Sequence, residues 1–374
     1  MSASFGLAPR SNATIDAQSL TQRLLAVVLL SAMCCSVHAK DKPLQITIAA
    51  AHAVTIPWVS EIRDYIVPAF TRHLQSTDQQ LEIDWVEAYG GSLYRWQDTL
   101  EGVQIGLADI GWVGSLWENS KLPLQNITYS LPFISDDLAA LLSVINELHD
   151  EIPALAQSWL AYNQVFLGAS GVDTYHLLTN FPVTSFDDLA GKKILAPGTS
   201  AVWLQGTGAV AVDGALSTYY TQLKTGVADG TLTILSGAHP YRLYEVAPYI
   251  TLVNIGAQFT GAMSANKKFW DTLDATTQSE LKSIAAIYTQ RTSLAAERRY
   301  HAALRAMQAA GATVSELPAA DRQRWIASLE PLARRWVQRY EQKGLPAKQV
   351  LIELMQGLRE RGVAPIHDWD KALE

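Results

Sequence analysis

The sequence predicts an α/β protein built as a clamshell of two related lobes, with one long helix spanning both. Three observations predict it. The phrase Gly106-Leu107-Ala108-Asp109 recurs as Gly226-Val227-Ala228-Asp229. Each copy follows an amphipathic stretch with the same apolar beat, Leu100, Val103 and Leu107 in one and Tyr220, Leu223 and Val227 in the other. Spacings of three and four residues put such positions on one helix face, and the Gly permits a left-handed stop. Buried-strand runs follow both stops, Ile110-Gly111-Trp112-Val113 and Thr231-Leu232-Thr233-Ile234. The third observation is helical periodicity through Leu281, Ile284, Tyr288, Ala295, Leu304 and Met307 to Gly311. About 34 residues at 1.5 Å each give roughly 50 Å, more than one small lobe needs.

The elements follow in order. Arg10 and Arg23 precede an apolar run from Leu24 to Met33 that is too short to span a bilayer. Val37-His38-Ala39 offers the small residues a signal peptidase reads, so residues 1–39 are expected to be an export signal cut before Lys40. Cys34 and Cys35 suggest lipidation instead, but Met33 is bulky for that site. No later stretch is long and apolar enough to cross a membrane, so the expected product is a soluble exported protein.

That cut removes both cysteines, and with them thiol nucleophiles, thiolate metal sites and disulfides. Losing Arg10, Arg23 and Asp16 moves the net charge from −7 to −8. A mildly acidic surface without basic runs excludes nucleic acid and anionic lipid as expected partners.

Leu44–Ile48 alternates like a first strand, followed by a helix from about Trp58 to His73 and a strand at Leu81–Val86. Gly90-Gly91 is a loop before the first repeated helix, and a second helix runs from Asp136 to Leu148. Val165–Gly168 and His176–Thr179 are expected strands, as are Lys193–Ala196, stopped by Pro197-Gly198, and Ile250–Ile255. Thr277 and Glu280 have capping-box spacing for the start of the long helix. Three more helices fit Ala320–Leu329, Leu332–Gln342 and Pro346–Arg361. The expected division gives the first lobe residues 40–170 and 256–300. The second takes 171–255 and 301–374, including the C-terminal helices.

Signals for catalysis are weak. Gly206-Thr207-Gly208-Ala209-Val210-Ala211 has a dinucleotide-like spacing, but no acidic residue caps a following strand at the required distance. There is no nucleophile elbow, Walker loop or histidine pair at metal spacing. The sequence therefore gives no reason to expect an enzyme, a cofactor or a bound metal; an exported hydrolase is the alternative of another class.

Several ordered motifs carry a family resemblance. Gly90-Gly91-Ser92-Leu93, then Leu100-Glu101-Gly102 through Asp109, then Leu131-Pro132-Phe133 resembles the periplasmic solute-binding proteins of TRAP (tripartite ATP-independent periplasmic) transporters, the DctP-like family. Phe186-Asp187-Asp188-Leu189-Ala190-Gly191-Lys192-Lys193-Ile194 resembles that family's DLxGxKIR segment, and Tyr220 through Gly230 its Y-x-x-L-x-x-G-x-x-D-G phrase. The resemblance covers nearly the whole exported chain. It implies a periplasmic receptor that closes on a small organic solute and delivers it to large and small TRAP membrane subunits; from the export signal and the lack of cysteines after the cut, the exported chain is expected to be a monomer. The alternative is a clamshell receptor for an ATP-driven importer or a sensor kinase.

Two departures bear on the ligand. The family pattern places an Arg after KI, to pair with a substrate carboxylate; here that position is Leu195. Where many members have Asn after the second D-G, this chain has Thr233. Either the ligand or its clamp has changed, and Arg95, after Gly90-Gly91, is the nearest replacement. The remaining expected cleft residues are His52 and Trp58 after the first strand, Trp112 and Trp117, Trp203 after Pro197-Gly198, and Ser217 as a donor. Tyr175 joins them because it lies in the crossing segment, where the family often places a contact. Such a wall suits a flat or apolar solute by stacking, or a cation by attraction to ring faces.

Overall fold

The computed structural model describes residues 43–77 and 82–373, so the expected export signal lies outside the described residues. In chain order the strands are β1 (Leu44–Ala49), β2 (Ile83–Ala88), β3 (Ile110–Gly114), β4 (Gln164–Val172), β5 (Tyr175–Thr179), β6 (Lys193–Leu195), β7 (Val210–Val212), β8 (Gly230–Ile234), β9 (Tyr249–Leu252), β10 (Gln258–Asn266) and β11 (Thr313–Glu316). They form two sheets, one per lobe. The first has the order β2-β1-β3-β10-β4 and the second β11-β9-β5-β8-β6-β7. Read from its other end, the second begins β7-β6-β8-β5-β9, which matches the first strand for strand. Pairing direction matches too. β2 and β3 run parallel to β1 while β10 is antiparallel to β3 and β4; β7 and β8 run parallel to β6 while β5 is antiparallel to β8 and β9.

The repeated phrase does the same mechanical work in both lobes. Gly106 and Gly226 take φ values of 78° and 73°, which Gly adopts without a Cβ penalty. Each stops its helix, Thr99–Gln104 and Leu216–Lys224. The Asp109 carboxylate accepts from the Thr47 amide at 2.8 Å, and its amide donates to the Thr47 carbonyl. Asp229 makes the equivalent pair with Lys193, its carboxylate accepting at 2.9 Å. Each Asp thus ties the turn to the neighbouring parallel strand.

The long helix spans Ala275–Ala309, 35 residues, or about 52 Å. Its cap differs from the expected box: Asp274 is the N-cap, and its carboxylate accepts from the Thr276 and Thr277 amides. Asp supplies two acceptor oxygens: Oδ1 takes both amides and Oδ2 the Thr277 hydroxyl at 2.7 Å. The helix packs on β4 and the helix Leu138–Glu151 at one end and on the short helix Leu235–Ala238 further along. Its last turns place Ala303 and Met307 in the apolar cluster that contains Leu243 and Ile250 of the second lobe. It therefore crosses both lobes.

The helix after β1 starts at Pro57, passes through a π-helical turn at Ile62–Ile66, and ends at Thr77. The sequence reading missed β10, β7 and β11 and the helix Pro153–Leu160. The C-terminal residues 301–374, expected with the second lobe, divide. β11 pairs with β9 of the second sheet. The helix Ala347–Glu360 packs on Leu138–Glu151, which lies on β4 of the first. The reason is contact: Gly357 lets that helix sit close against Val144, and Arg361 pairs with Glu147.

Candidate functional site

The C-terminal ends of β1 and β3 feed the loop carrying His52 and the turn Ser115–Trp117. Those of β6 and β8 feed the turn Gly198–Leu204 and the short helix Leu235–Ala238. In open α/β sheets ligands bind beyond the carboxyl ends of the strands, and here two such edges come from two lobes.

Aromatic rings fill the first-lobe side. The His52 ring meets Trp58 and Trp112 edge-on at centroid distances of 5.3 and 5.1 Å and lies over Trp117 at 6.0 Å. Trp58 stacks on Trp112 at 5.5 Å, and Trp96 adds a tilted ring 4.7 Å from Trp117. The sheet beneath is cut from glycine to make room. A Cβ at Gly114 would meet Trp117 at 2.6 Å, and one at Gly261 would meet Trp112 at 2.6 Å. Trp112 is fully buried, donating to Ser170 Oγ at 2.6 Å, so it is the floor of this group and not an open wall. Tyr288 of the long helix donates to the Trp58 carbonyl at 2.9 Å and holds the loop down.

Polar atoms in this group lack partners. Trp58 is only 7% exposed, yet its Nε1 has no acceptor; His52 Nδ1, Ser115 Oγ and Asn126 Oδ1 are likewise buried and unsatisfied. Burial lowers the His52 pKa to about 4, so its ring is neutral near pH 7. A buried donor left unmet costs about 1–3 kcal/mol, which a bound solute can recover.

A second aromatic group joins the lobes. Trp203 stacks on Tyr129 at 5.6 Å, and Tyr175 stands edge-on to Trp203 at 5.0 Å. The Trp203 indole donates to the Tyr129 carbonyl at 2.7 Å, and the Tyr129 and Tyr175 hydroxyls lie 3.1 Å apart. Trp117 and Tyr175 both pack against the two large apolar clusters. Ile234, at the end of β8, belongs to the same buried cluster as Trp58 and Trp112, so the second lobe reaches the first group.

The structure brings His52, Trp58, Trp112 and Trp117 together, and Tyr175 with Trp203. It does not bring in Arg95, whose side chain is 76% exposed and paired with Asp98 at 2.8 Å. Leu195 is fully buried in the apolar cluster containing Leu178, Tyr219 and Leu223, beneath the helix that begins at Leu216. Thr233 is buried opposite His176 in the β5–β8 ladder, and Ser217 is exposed on the first turn of its helix. Sequence reasoning missed Tyr129, Ser115 and Asn126, which carry no periodic signal.

The crossing segments between sheets are tied together behind this site. His176 Nδ1 accepts from the Val253 and Asn254 amides, so its Nε2–H faces the Tyr300 hydroxyl at 3.2 Å. Burial lowers its pKa to about 3. Gly256 donates to Thr174 Oγ1 at 2.9 Å, and Asp173 accepts from the Ser236 amide and hydroxyl. Burial raises Asp173 to about 6 against those hydrogen bonds. A cavity of about 510 Å³ lies here, lined by Asp136, Asp173, Asn254, Glu297 and Tyr300 among others, under the long helix and apart from the aromatic groups. Among the described residues no group of three or more His, Cys, Asp or Glu side chains is placed to hold a metal, and no helix is long and apolar enough to cross a membrane.

Solved structures share this fold. A TRAP periplasmic solute-binding protein from Desulfovibrio salexigens matches with a TM-score of 0.72 and 19% identity, covering 86% of this chain and 98% of its own. One from Shewanella oneidensis with bound succinate matches at 0.68 and 18%, covering 84% and 99%. An extracytoplasmic solute receptor from Bordetella pertussis that binds pyroglutamic acid matches at 0.68 and 20%, covering 83% and 99%. At those identities the likeness establishes the two-lobed fold. Residues 73–339, well over half of the sequence, match the family model described as bacterial extracellular solute-binding protein, family 7. With two matching lobes, a helix across both and strand ends converging on one aromatic site, the chain belongs to family 7 of the bacterial extracellular solute-binding proteins.

Proposed function

We propose that this protein is the periplasmic receptor of a TRAP-type transporter, capturing a small organic solute between its lobes and passing it unchanged to large and small membrane subunits. The observation that carries the reading is the aromatic group at the converging strand ends, with Trp58 Nε1 and His52 Nδ1 buried and unpaired. The fold neighbours whose bound molecules are stated above hold succinate and pyroglutamic acid, both carboxylates. Here Leu195 lies where the family pattern has its Arg, so the solute rests on ring faces and on donors outside that pattern. Residues 1–39 act as the export signal, the exported chain is a monomer, and neither nucleic acid nor catalysis enters its role. The lobes divide at the crossing segments, between Val172 and Tyr175 and between Leu252 and Gln258.

Two measurements test the reading. N-terminal sequencing of the exported protein is expected to begin at Lys40; a lipid-modified Cys34 would refute the soluble form. Equilibrium dialysis against a solute mixture, read by mass spectrometry, is expected to show one solute retained and recovered unchanged. Appearance of a product with time would make the protein an enzyme instead.

A further inference from the structure

The cavity of about 510 Å³ at the crossing segments is large enough for a small molecule. Asp173 reaches it from the first crossing and Asn254 from the second. Asp136 lies just before a first-lobe helix, and Glu297 and Tyr300 belong to the long helix. With Asp137 the lining holds four carboxylates and no Lys or Arg, and its one imidazole, His301, is exposed. Asp137 is taken up in capping its helix through the Ala140 amide, which leaves Asp136, Asp173 and Glu297 to the space. Arg322, outside the lining, acts on Asp136 and offsets one charge of the four. Asp173 carries the inference. It is 6% exposed and lines the cavity, yet its side-chain partner is the neutral Ser236, and no cation pairs with it among the described residues. Burial accordingly holds its pKa up. A buried carboxylate is costly without a positive partner, and an opposite charge entering the cavity relieves that cost. Among the described residues the carboxylates do not gather three at a point to hold a metal ion. The cation that fits is extended, with its charges set apart along a chain.

We propose that this cavity is a second binding site, separate from the solute cleft, for a small organic polycation of the alkyl diamine or polyamine class. One ammonium group pairs with Asp173 at the buried end. The others pair with Asp136 and Glu297, which are exposed, and the alkyl chain lies between them beside Tyr300. The inference stands apart from the receptor reading, because it requires nothing of the solute.

The test is calorimetry on the exported chain with putrescine, spermidine, uncharged 1,4-butanediol and magnesium chloride, all at one ionic strength. Putrescine or spermidine is expected to bind once per chain, and butanediol and magnesium are not. Hydrogen bonds to charged groups are the strong ones, so Asp173→Asn should weaken the amine about ten-fold or more. That change keeps an acceptor for Ser236, and unfolding midpoints establish that the variants fold. Glu297→Gln alters a side chain that makes no hydrogen bond or ion pair in the fold, and it should also weaken the amine. The control is Glu360→Gln, in a separate acidic groove that Glu147, Glu151 and Glu353 share, and it should leave binding unchanged. Absence of amine binding, equal binding of magnesium, or an equal loss in Glu360→Gln would overturn the inference. So would binding that survives Asp173→Asn but is lost in Trp58→Phe, because the amine would then occupy the solute cleft.

Discussion

Trp112 shows how single residues set this site. Its indole lies flat because Gly114 and Gly261 leave the space, and Ser170 satisfies its Nε1. Gly261→Ala is expected to destabilise the fold by about 1–3 kcal/mol, the usual cost of overpacking, and to shift tryptophan emission. Equilibrium denaturation with fluorescence checks both. Leu195 behaves differently from what its place in the family pattern suggests. It is core, so Leu195→Arg is expected to cost more than about 3 kcal/mol of stability by burying an unpaired charge. A stable Leu195→Arg protein with gained carboxylate affinity would return this position to the cleft. Trp112 and Trp117 were legible because they lie on and just after β3, the strand that the first copy of the repeat located, while His52 and Trp58 follow the alternating first strand and Trp203 the Pro197-Gly198 stop. Tyr129, Ser115 and Asn126 were not, because they lie on short irregular segments with no period to read.

At the scale of elements, the two copies of the repeated phrase act as braces. Asp109 holds Thr47 and Asp229 holds Lys193 through the same pair of bonds, so Asp109→Ala and Asp229→Ala should each cost about 1.5–3 kcal/mol. Comparable losses in denaturant melts are expected; a loss at one site alone would deny the equivalence. The repeat made β3, β8 and their helices readable because helix, Gly stop and strand differ in period. β10 escaped because Gly261-Ala262-Met263-Ser264-Ala265 shows no alternation. Its residues are small because both faces of the strand are covered, with Trp112 lying on one of them. The long helix was readable from periodicity, but its cap was misplaced because Asp274 lies before the first apolar beat. β7 and β11 are three and four residues long, too short for a pattern to establish.

For the whole molecule, burial of titratable groups makes stability depend on pH. His52, His149 and His176 are held neutral, with pKa values lowered to about 4, 4 and 3. An unfolded histidine takes a proton near 6.5, so their contribution is complete above that pH and is lost as pH falls toward 4. Asp173 runs the other way: raised to about 6, it favours the fold more as pH drops from 6 toward 4. Burial raises the carboxyls of Asp109, Glu118 and Asp136 in the same sense, but among the carboxylates only Asp173 is shifted as far as about 6, so the three histidines dominate and the denaturation midpoint should fall between pH 6.5 and 4. A flat or rising profile would show that these histidines are not held neutral.

The five strands of the first sheet match five of the six in the second, and the two sheets meet at two crossing segments and share one helix. Such a molecule changes shape most easily by rotating one lobe against the other about those crossings. His176, Val253, Asn254 and Tyr300 are hydrogen-bonded together beside those crossings. Small-angle X-ray scattering with and without a saturating solute tests this most directly. The account predicts a smaller radius of gyration and maximum dimension in the bound state, with the solute recovered intact. An unchanged scattering curve at full occupancy would contradict capture between the lobes.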